Sequence, residues 1–251
     1  MLIAKTAARL SDGKPYAIDV GDGERVSART VIVATGAEYR RLPIDGLSRF
    51  EGAGVYYAAT FMESQLCDGE DVVVVGAGNS AGQATVFLAQ TARRVHMLIR
   101  SDGLADTMSR YLIRRIEDHP AIVRHVRTEI VSLEGNGRLE RVGWRDNQTG
   151  RIETQDIRHV FVMTGAVPST RWLADCLALD AKGFIKTGPD LSPDDLLAAR
   201  WPLARAPHLL ETSLPTVFAI GDVRSASIKR VASAVGEGSI AIAAVHQVVH
   251  E

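Results

Sequence analysis

The residues with the clearest chemical meaning form a glycine-rich turn between a buried strand and a helix. Val72–Val75 is an unbroken β-branched run, and a G-x-G-x-x-A pattern with Gly76, Gly78 and Ala81 at its fixed positions follows it. In such a unit Gly76 permits the turn, Gly78 lets a phosphate approach the backbone, and the small Ala81 lets the helix pack on the strand. The order strand, turn, helix therefore predicts a dinucleotide-binding unit.

The helix after this turn begins at Asn79 and Ser80. Its N-terminus should offer free N–H groups and the positive end of the helix dipole to a pyrophosphate. A purely structural corner between a strand and a helix can show the same pattern, and this is the alternative interpretation.

The end of the next predicted strand, residues 94–100, bears on the choice of nucleotide. In a dinucleotide fold this strand end meets the adenosine ribose, and an acidic residue there would favour NAD. Here the strand ends in Arg100, and the first acid, Asp102, follows two residues later. A guanidinium suits a 2′-phosphate, so we expect NADP(H). A solvated arginine at a strand exit is the alternative.

Composition narrows the class of protein. The chain has 251 residues, of which 46% are apolar, enough for one large or two small domains. Its net charge of −1 gives no basis for nucleic-acid binding. We see no apolar run of about 18 residues and no secretory signal, so we expect no membrane partner and a cytoplasmic location. Cys67 and Cys176 fit no metal or redox motif, and we expect no metal site.

Three further predicted strands, 30–35, 159–163 and 216–220, end in polar or glycine residues. These ends are Thr35-Gly36, Thr164-Gly165 and Gly221-Asp222. Antiparallel inserts precede the first two. The predicted fold class is therefore α/β, with a Rossmann-like parallel sheet and antiparallel meanders.

The remaining segments complete this outline. Residues 192–210 show no clear period and are interpreted as a surface insertion. The other predicted elements are strands at 2–4, 16–20, 123–133, 139–145, 152–157 and 182–186, and helices at 109–117 and 233–249.

In order and spacing these motifs resemble those of thioredoxin reductase-like FAD- and NAD(P)H-dependent oxidoreductases. The resemblance rests on Ala34–Gly36, Gly76–Ala81, Thr164-Gly165 with Pro168, and Val217–Asp222, and it spans nearly the whole chain. It implies an NADPH-binding domain at residues 54–165, inserted into an FAD-binding domain made of residues 1–50 and 166–251. FAD and NADP(H) are the implied cofactors.

The resemblance also implies roles for matched residues on the FAD side. Asp222 would accept hydrogen bonds from the flavin ribityl chain. Lys229, Arg230 and Val231 match the segment that passes the isoalloxazine edge, and the helix that begins there would direct its positive end at the flavin. For Arg230, an ordinary surface charge is the alternative. The other cofactor-binding residues implied are Thr35, Gly36, Gly165 and Gly221.

Two departures from the family pattern stand out. A second glycine fingerprint near the N-terminus, which would bind the FAD phosphates, is absent from the sequence. We therefore expect a piece of a longer flavoprotein, in which a half-sheet leaves an unpaired edge and uncovered apolar faces. Ala58 and Phe61 stand where the family carries the two thiols of a C-x-x-C, and Cys67 is single.

The leading functional hypothesis is an FAD-dependent NADPH oxidoreductase that passes electrons to an unknown acceptor, with a redox protein as one candidate. It needs no catalytic side-chain acid or base, because the cofactors carry the chemistry. The family is often dimeric, so we expect a homodimer. The alternative is an NADP(H)-binding regulatory module without turnover. A third option is an NADP-linked dehydrogenase with Tyr111 or His119 as the acid, although the Tyr-x-x-x-Lys spacing is missing.

Overall fold

The computed structural model describes residues 5–21, 23–104, 108–173 and 175–249. The chain divides into two compact units. The outer unit comprises Met1–Glu38 and Ala166–Glu251, and the inserted unit comprises Tyr39–Gly165. The domain boundary expected at residues 50–54 lies inside the inserted unit, because Leu47 and Phe50 pack into the same core as Val55. The cofactor assigned to each unit stays a prediction.

The elements are numbered in chain order. The strands are β1 (Ala7–Ser11), β2 (Tyr16–Val20), β3 (Glu24–Ala28), β4 (Val31–Val33), β5 (Ala37–Tyr39), β6 (Val55–Tyr56), β7 (Asp71–Val75), β8 (Arg94–Ile99), β9 (Ile122–Val126), β10 (Thr128–Glu134), β11 (Arg141–Asp146), β12 (Ile152–Gln155), β13 (Val160–Val162), β14 (Ala166–Pro168) and β15 (Val217–Ala219). The helices are α1 (Phe61–Leu66), α2 (Asn79–Leu88), α3 (Arg110–Glu117), α4 (Pro193–Ala198) and α5 (Val231–Val248).

The inserted unit is built on a parallel sheet in the order β6-β13-β7-β8-β9. Its central strand β7 explains the β-branched run in the sequence, because Val72, Val73 and Val74 are completely buried. Val72 and Val74 contact the core shared with α2 and α3, whereas Val73 belongs to the core on the opposite face. A strand covered on both faces needs apolar residues at every position.

The antiparallel meander β10-β11-β12 supplies the residues that cover this second face. Trp144 of β11 and Ile130 of β10 are buried there with Leu98 of β8. The result is a layer of helices, a parallel sheet and an antiparallel sheet. This arrangement places the ends of β7, β8 and β13 at one edge, where the predicted nucleotide residues follow them.

The outer unit contains an antiparallel meander, β1-β2-β3, and a parallel pair, β4 and β15. Val33 and Val217 are buried in a core with Leu10 of the meander. On the other face of the parallel pair, Phe218 packs with Ala241 of α5. The parallel pairing of Val33 with Ala219 brings the carboxyl ends of β4 and β15 together.

The structure corrects several sequence-based elements. The strand predicted over 123–133 is two strands in different sheets, β9 and β10, because the chain turns at Arg127, whose φ is +51°. The predicted strand 182–186 has only isolated pairing at Ile185. Helix α5 begins at Val231 instead of residue 233. The strand expected at residues 2–4 lies outside the described residues.

Helix α5 has a largely uncovered apolar surface. Val231, Val235, Ile240 and Ile242 are exposed, and Val231 retains 82% of its accessible surface. By length and composition, α5 is also the one described helix that could cross a membrane. Its buried Ala241 packs on Phe218, so in this structure it is a helix of the outer unit.

The segment after residue 191 is ordered around a short helix and a buried ion pair. Ser192 and Asp195 form a capping box at the start of α4. Beyond it, the completely buried Glu211 accepts two bonds from the guanidinium of Arg205, at 2.7 and 3.2 Å, and one from the N–H of Thr216. These bonds hold the end of residues 192–210, for which the sequence predicts a surface insertion.

Candidate functional site

The glycine turn of the inserted unit is shaped by close packing. Gly76 follows β7 with a φ of +140°, and a Cβ built on it would lie 2.5 Å from the carbonyl oxygen of Met163 and 3.1 Å from the Cβ of Ala81. Ala81 itself is completely buried. Any side chain at position 76, or a larger one at position 81, would push α2 away from the sheet, so both small residues are required for this corner.

The N-terminus of α2 has the character of an anion site. Gly78 is its N-cap in an extended conformation, no side chain caps it, and its first turn contains no acid. The N–H groups of such a first turn have no partner within the helix. Asn79 and Ser80 are exposed there, and the Oδ1 of Asn79 accepts a hydrogen bond of 2.8 Å from the N–H of Ser109. These features fit a bound phosphate.

The edge of the parallel sheet collects the other predicted residues of the inserted unit. In the parallel register Val75 pairs with Leu98 and Val162 with Val75, so the chain leaves β7, β8 and β13 on the same side. Arg100 is exposed just beyond β8. Gly165, with a φ of +91°, has no atom within 4 Å of a built Cβ, so open space adjoins its backbone. The structure brings the predicted nucleotide residues to one edge.

The outer unit has a second set of strand ends. The N–H of Ile220 donates to the carbonyl of Val33, which places the turns after β4 and β15 side by side. Gly36 and Gly221 both have left-handed backbones, with φ of +68° and +70°. Open space surrounds the position of a Cβ on Gly36, and the Oγ1 of Thr35 donates to the carbonyl of Ser169. An uncrowded glycine at a strand end is a suitable place for a ligand to approach.

Asp222 lies in this turn, and its carboxylate is available to accept hydrogen bonds from a ligand. Within the described ranges, no residue donates a hydrogen bond to its carboxylate oxygens, whereas its backbone carbonyl accepts one of 3.1 Å from the Nζ of Lys229. The half-buried Lys229 also lies 4.4 Å from the centre of the Phe184 ring, and burial lowers the pKa of its ammonium. A partly buried acceptor at the end of a strand fits the hydroxyl groups of a ribityl chain.

The start of α5 is a second feature of this region. Arg230 is its N-cap, and its guanidinium donates to the carbonyl of Lys229. Val231, the first helical residue, is exposed. The first turn of α5 carries no acid and no capping side chain, so its positive end is available to a ligand. The outer unit contains all the predicted flavin-side residues apart from Gly165: Thr35, Gly36, Gly221, Asp222 and Lys229–Val231.

Glu237 is a site residue that the sequence analysis missed. Its Oε2 accepts a hydrogen bond of 2.6 Å from the N–H of Gly221, and its Oε1 accepts one of 2.5 Å from Arg224. Partial burial raises the pKa of the Glu237 carboxyl, but these bonds lower it more, so the net pKa is below its usual value. Glu237 thus fastens the Gly221 turn to α5. The signal for this role in the sequence is the position of Glu237 between two glycines, Gly236 and Gly238.

The cysteines and the alternative acids complete the chemical inventory. Cys67 is completely buried and Cys176 is partly buried, and burial raises the pKa of each thiol to about 11. Neither is poised as a thiolate nucleophile.

Tyr111 is exposed on α3, where its hydroxyl accepts a bond of 3.2 Å from Arg115 at one side of a groove of about 340 Å³. No described lysine lines this groove, and His119 uses its Nδ1 to accept the N–H of Ala121.

Together, the parallel-sheet unit with its glycine turn and the outer unit with its Gly-Asp turn fit the class of pyridine nucleotide- and flavin-dependent oxidoreductases. Residues 2–238 match the family of pyridine nucleotide-disulphide oxidoreductases. The chain belongs to this family, and within it the chain is thioredoxin reductase-like. Such enzymes use FAD and NADPH.

Individual relatives agree with this assignment. The chain is 28% identical to thioredoxin reductase of Bacillus subtilis (strain 168), over 96% of the chain and 69% of the relative. It is 32% identical to thioredoxin reductase of Mycolicibacterium smegmatis, over 92% of the chain and 67% of the relative. It is 31% identical to thioredoxin reductase of Treponema pallidum (strain Nichols), over 90% of the chain and 66% of the relative. The chain thus spans about two thirds of the length of these relatives.

Solved structures support the fold. Thioredoxin reductase from Streptococcus pyogenes MGAS5005 superposes with a TM-score of 0.81 at 26% identity, covering 98% of this chain and 74% of that one. Thioredoxin reductase from Giardia duodenalis gives a TM-score of 0.84 at 24% identity, covering 100% and 76%. The α/β fold class predicted from the sequence is confirmed, and so is the resemblance to thioredoxin reductases.

Proposed function

We propose that this protein is an FAD-dependent NADPH oxidoreductase that passes electrons to an acceptor without a C-x-x-C dithiol. One observation carries the proposal: each unit places a glycine turn at the carboxyl ends of parallel strands. In the inserted unit this is the Gly76 turn that leads into α2, and in the outer unit it is the Gly221-Asp222 turn beside α5. The family membership supports the same cofactor pair.

On the nucleotide side, the chain binds and orients. The first-turn N–H groups of α2 would hold the pyrophosphate of NADPH, and Gly76 with Ala81 keeps α2 close to the sheet. Arg100 would bind the 2′-phosphate, because its guanidinium is exposed at the end of β8.

On the flavin side, Asp222 would accept hydrogen bonds from the ribityl hydroxyls, and the N-terminus of α5 would face the isoalloxazine. When bound, the two cofactors supply a hydride transfer from nicotinamide to flavin. Glu237 and Lys229 hold the turn that carries Asp222, so their contribution is positional. No side-chain acid or base is required for this step.

The proposed transfer of electrons from the flavin to the acceptor differs from that in an enzyme with a C-x-x-C dithiol. Ala58 and Phe61 carry no thiol, and the only two cysteines of the sequence, Cys67 and Cys176, both have raised pKa values. A thiol relay from flavin to a protein disulfide is therefore not part of the proposal. A redox protein as acceptor, a homodimer and a cytoplasmic location stay predictions.

The test is an absorbance spectrum of the purified chain after incubation with FAD, followed by titration with NADPH without oxygen. Flavin bands that NADPH bleaches support the proposal. A colourless chain that still binds NADPH supports the regulatory module, and a chain that binds neither cofactor refutes both. Gly78→Val should abolish the bleaching. Gly21→Val is the matched control, because its Cβ would meet only the Thr6 carbonyl at 3.8 Å.

A further inference from the structure

A second arginine lies beside Arg100 at the edge of the parallel sheet. Strands β8 and β9 pair in parallel, with Ile99 opposite Val126. Arg100 and Arg127 follow these two residues, so the two arginines leave adjacent strands at the same level. Neighbouring strands are about 4.8 Å apart, which brings the two backbones close together.

The backbone of Arg127 is fixed at this place. Its N–H donates to the carbonyl of Ser101 at 3.1 Å, and its own carbonyl accepts the N–H of Asn147 at 2.7 Å. Its φ of +51° ends β9 and starts β10 in another sheet. The left-handed turn therefore joins the loop after β8 to the end of β11, and Arg127 cannot move away without breaking both bonds.

The side chain of Arg127 is also oriented. Its Nε donates to Asp102 at 2.5 Å and its Nη1 donates to Gln148 at 2.7 Å. A guanidinium has five N–H donors, and among the described residues none accepts a bond from its Nη2. The side chain keeps 40% of its accessible surface, so these remaining donors can reach a ligand in solvent.

Asp102 is the first acid after β8, and its charge is already compensated. The hydrogen bond from Arg127 holds the pKa of the Asp102 carboxyl below its usual range. An acid in this region would otherwise favour the 2′-hydroxyl of NAD and repel a 2′-phosphate. Asp146 also attracts Arg127 electrostatically. Arg100 forms no ion pair in the described part of the chain, so its guanidinium adds a positive charge that no described carboxylate pairs.

We infer that Arg127 binds the 2′-phosphate of the nucleotide together with Arg100, and that Asp102 positions the Arg127 guanidinium for this contact. The inference rests on the proposed function and extends it to a residue that follows a different strand. It makes the discrimination between NADPH and NADH depend on the turn between β9 and β10.

The test measures binding of 2′,5′-ADP and 5′-AMP by calorimetry to the full chain. Asp102→Asn keeps an oxygen acceptor for Arg127 but removes the carboxylate charge. Arg127→Gln is therefore introduced into the Asp102→Asn variant, so that its effect is measured without an unpaired Asp102 carboxylate. Adding Arg127→Gln to this background should weaken 2′,5′-ADP binding about tenfold or more, because charge-assisted bonds are lost, and change 5′-AMP binding less than about twofold. Arg124→Gln is the matched control and should change neither, because Arg124 lies on β9 and pairs with Glu117 at the end of α3.

The results separate this inference from the proposed function. Equal 2′,5′-ADP binding by Asp102→Asn with and without Arg127→Gln would show that Arg127 is no phosphate ligand, while NADPH binding by Arg100 would stand. If the unmodified chain binds 2′,5′-ADP no better than 5′-AMP, the inference is again overturned, although a nucleotide site remains. If it binds none of these nucleotides and no NADPH, the proposed function fails as well. Circular dichroism of each variant verifies the fold.

Discussion

A hydrogen-bonded pair of histidines, His96 and His125, should make the inserted unit lose stability in mild acid. The Nδ1 of His96 on β8 and the Nε2 of His125 on β9 are 3.0 Å apart, and both rings lie within 5.4 Å of the Trp144 ring. His96 is buried. One ring must donate to the other, so the hydrogen bond needs at least one neutral ring, and a second proton would place two charges in contact.

The magnitude follows from the pKa of His96. Burial, and after it repulsion by a charged His125, lowers this pKa to about 4 from an ordinary value of 6.5. Asp71 opposes this shift, and Arg94 adds to it. The pKa of His125 is also lowered by burial, against the attraction of Glu153. For His96 alone the difference corresponds to about 3 kcal/mol of stability.

The sign of the effect is set by the depressed pKa. The unfolded chain binds the proton near pH 6.5 and the folded chain only near pH 4, so the contribution is complete above pH 6.5 and is lost as the pH falls to about 4. Urea unfolding at several pH values measures it. His96→Asn places an amide near the position of Nδ1 and cannot titrate, so its stability should fall about 3 kcal/mol less over this range.

The matching change on the other strand is His125→Gln, whose amide lies near the position of Nε2. The double variant should show the flattest dependence on pH. His246→Gln, on the exposed face of α5, is the control and should follow the unmodified chain. If His96→Asn and the unmodified chain lose the same free energy between pH 6.5 and about 4, the pair does not titrate as argued. Histidine NMR would then show an ordinary pKa for His96.

Three further predictions concern other contacts. Arg205→Met leaves the buried Glu211 carboxylate uncompensated and should lower the free energy of unfolding by about 3–5 kcal/mol in urea titrations; an unchanged midpoint would contradict this. Gly76→Ala puts a Cβ 2.5 Å from the Met163 carbonyl and should abolish NADPH binding and lower the melting temperature, whereas normal binding and melting would disprove the close contact. Cys67, with its thiol pKa raised to about 11, should resist iodoacetamide at about pH 8 until urea unfolds the chain, and rapid alkylation of the folded protein would be inconsistent with its burial.

The parts of the fold that the sequence predicts well are those with local causes. The run Val72–Val75 is apolar because both faces of β7 are covered, and this is visible without knowing what covers them. The turn at Gly76 follows from its position between strand and helix. The start of α4 also has a local cause, because Ser192 and Asp195 have the spacing of a capping box, although the predicted elements do not include this helix.

The parts that sequence reasoning missed depend on distant partners. Residues 123–133 contain several β-branched residues and no glycine or proline, so no local signal marks a break in the predicted strand. The break at Arg127 depends on backbone bonds to Ser101 and Asn147, which are far away in the sequence. Glu237 shows the same limitation. It lies in a helix that was predicted, yet its role depends on the N–H of Gly221. No periodicity records such contacts.

The contrast between local causes and distant partners limits what a glycine fingerprint can reveal about the cofactor. The G-x-G-x-x-A turn positions main-chain N–H groups, and these bind any pyrophosphate, whichever nucleotide carries it. We expect the choice between NADPH and NADH to depend on charges just beyond β8, where Arg100 follows β8 and Arg127 follows the adjacent strand β9. An acid such as Asp102 would by itself favour NAD, but here its carboxylate accepts a hydrogen bond from Arg127, which offsets its charge. We therefore expect the cofactor preference of this family member to depend on two adjacent strand ends.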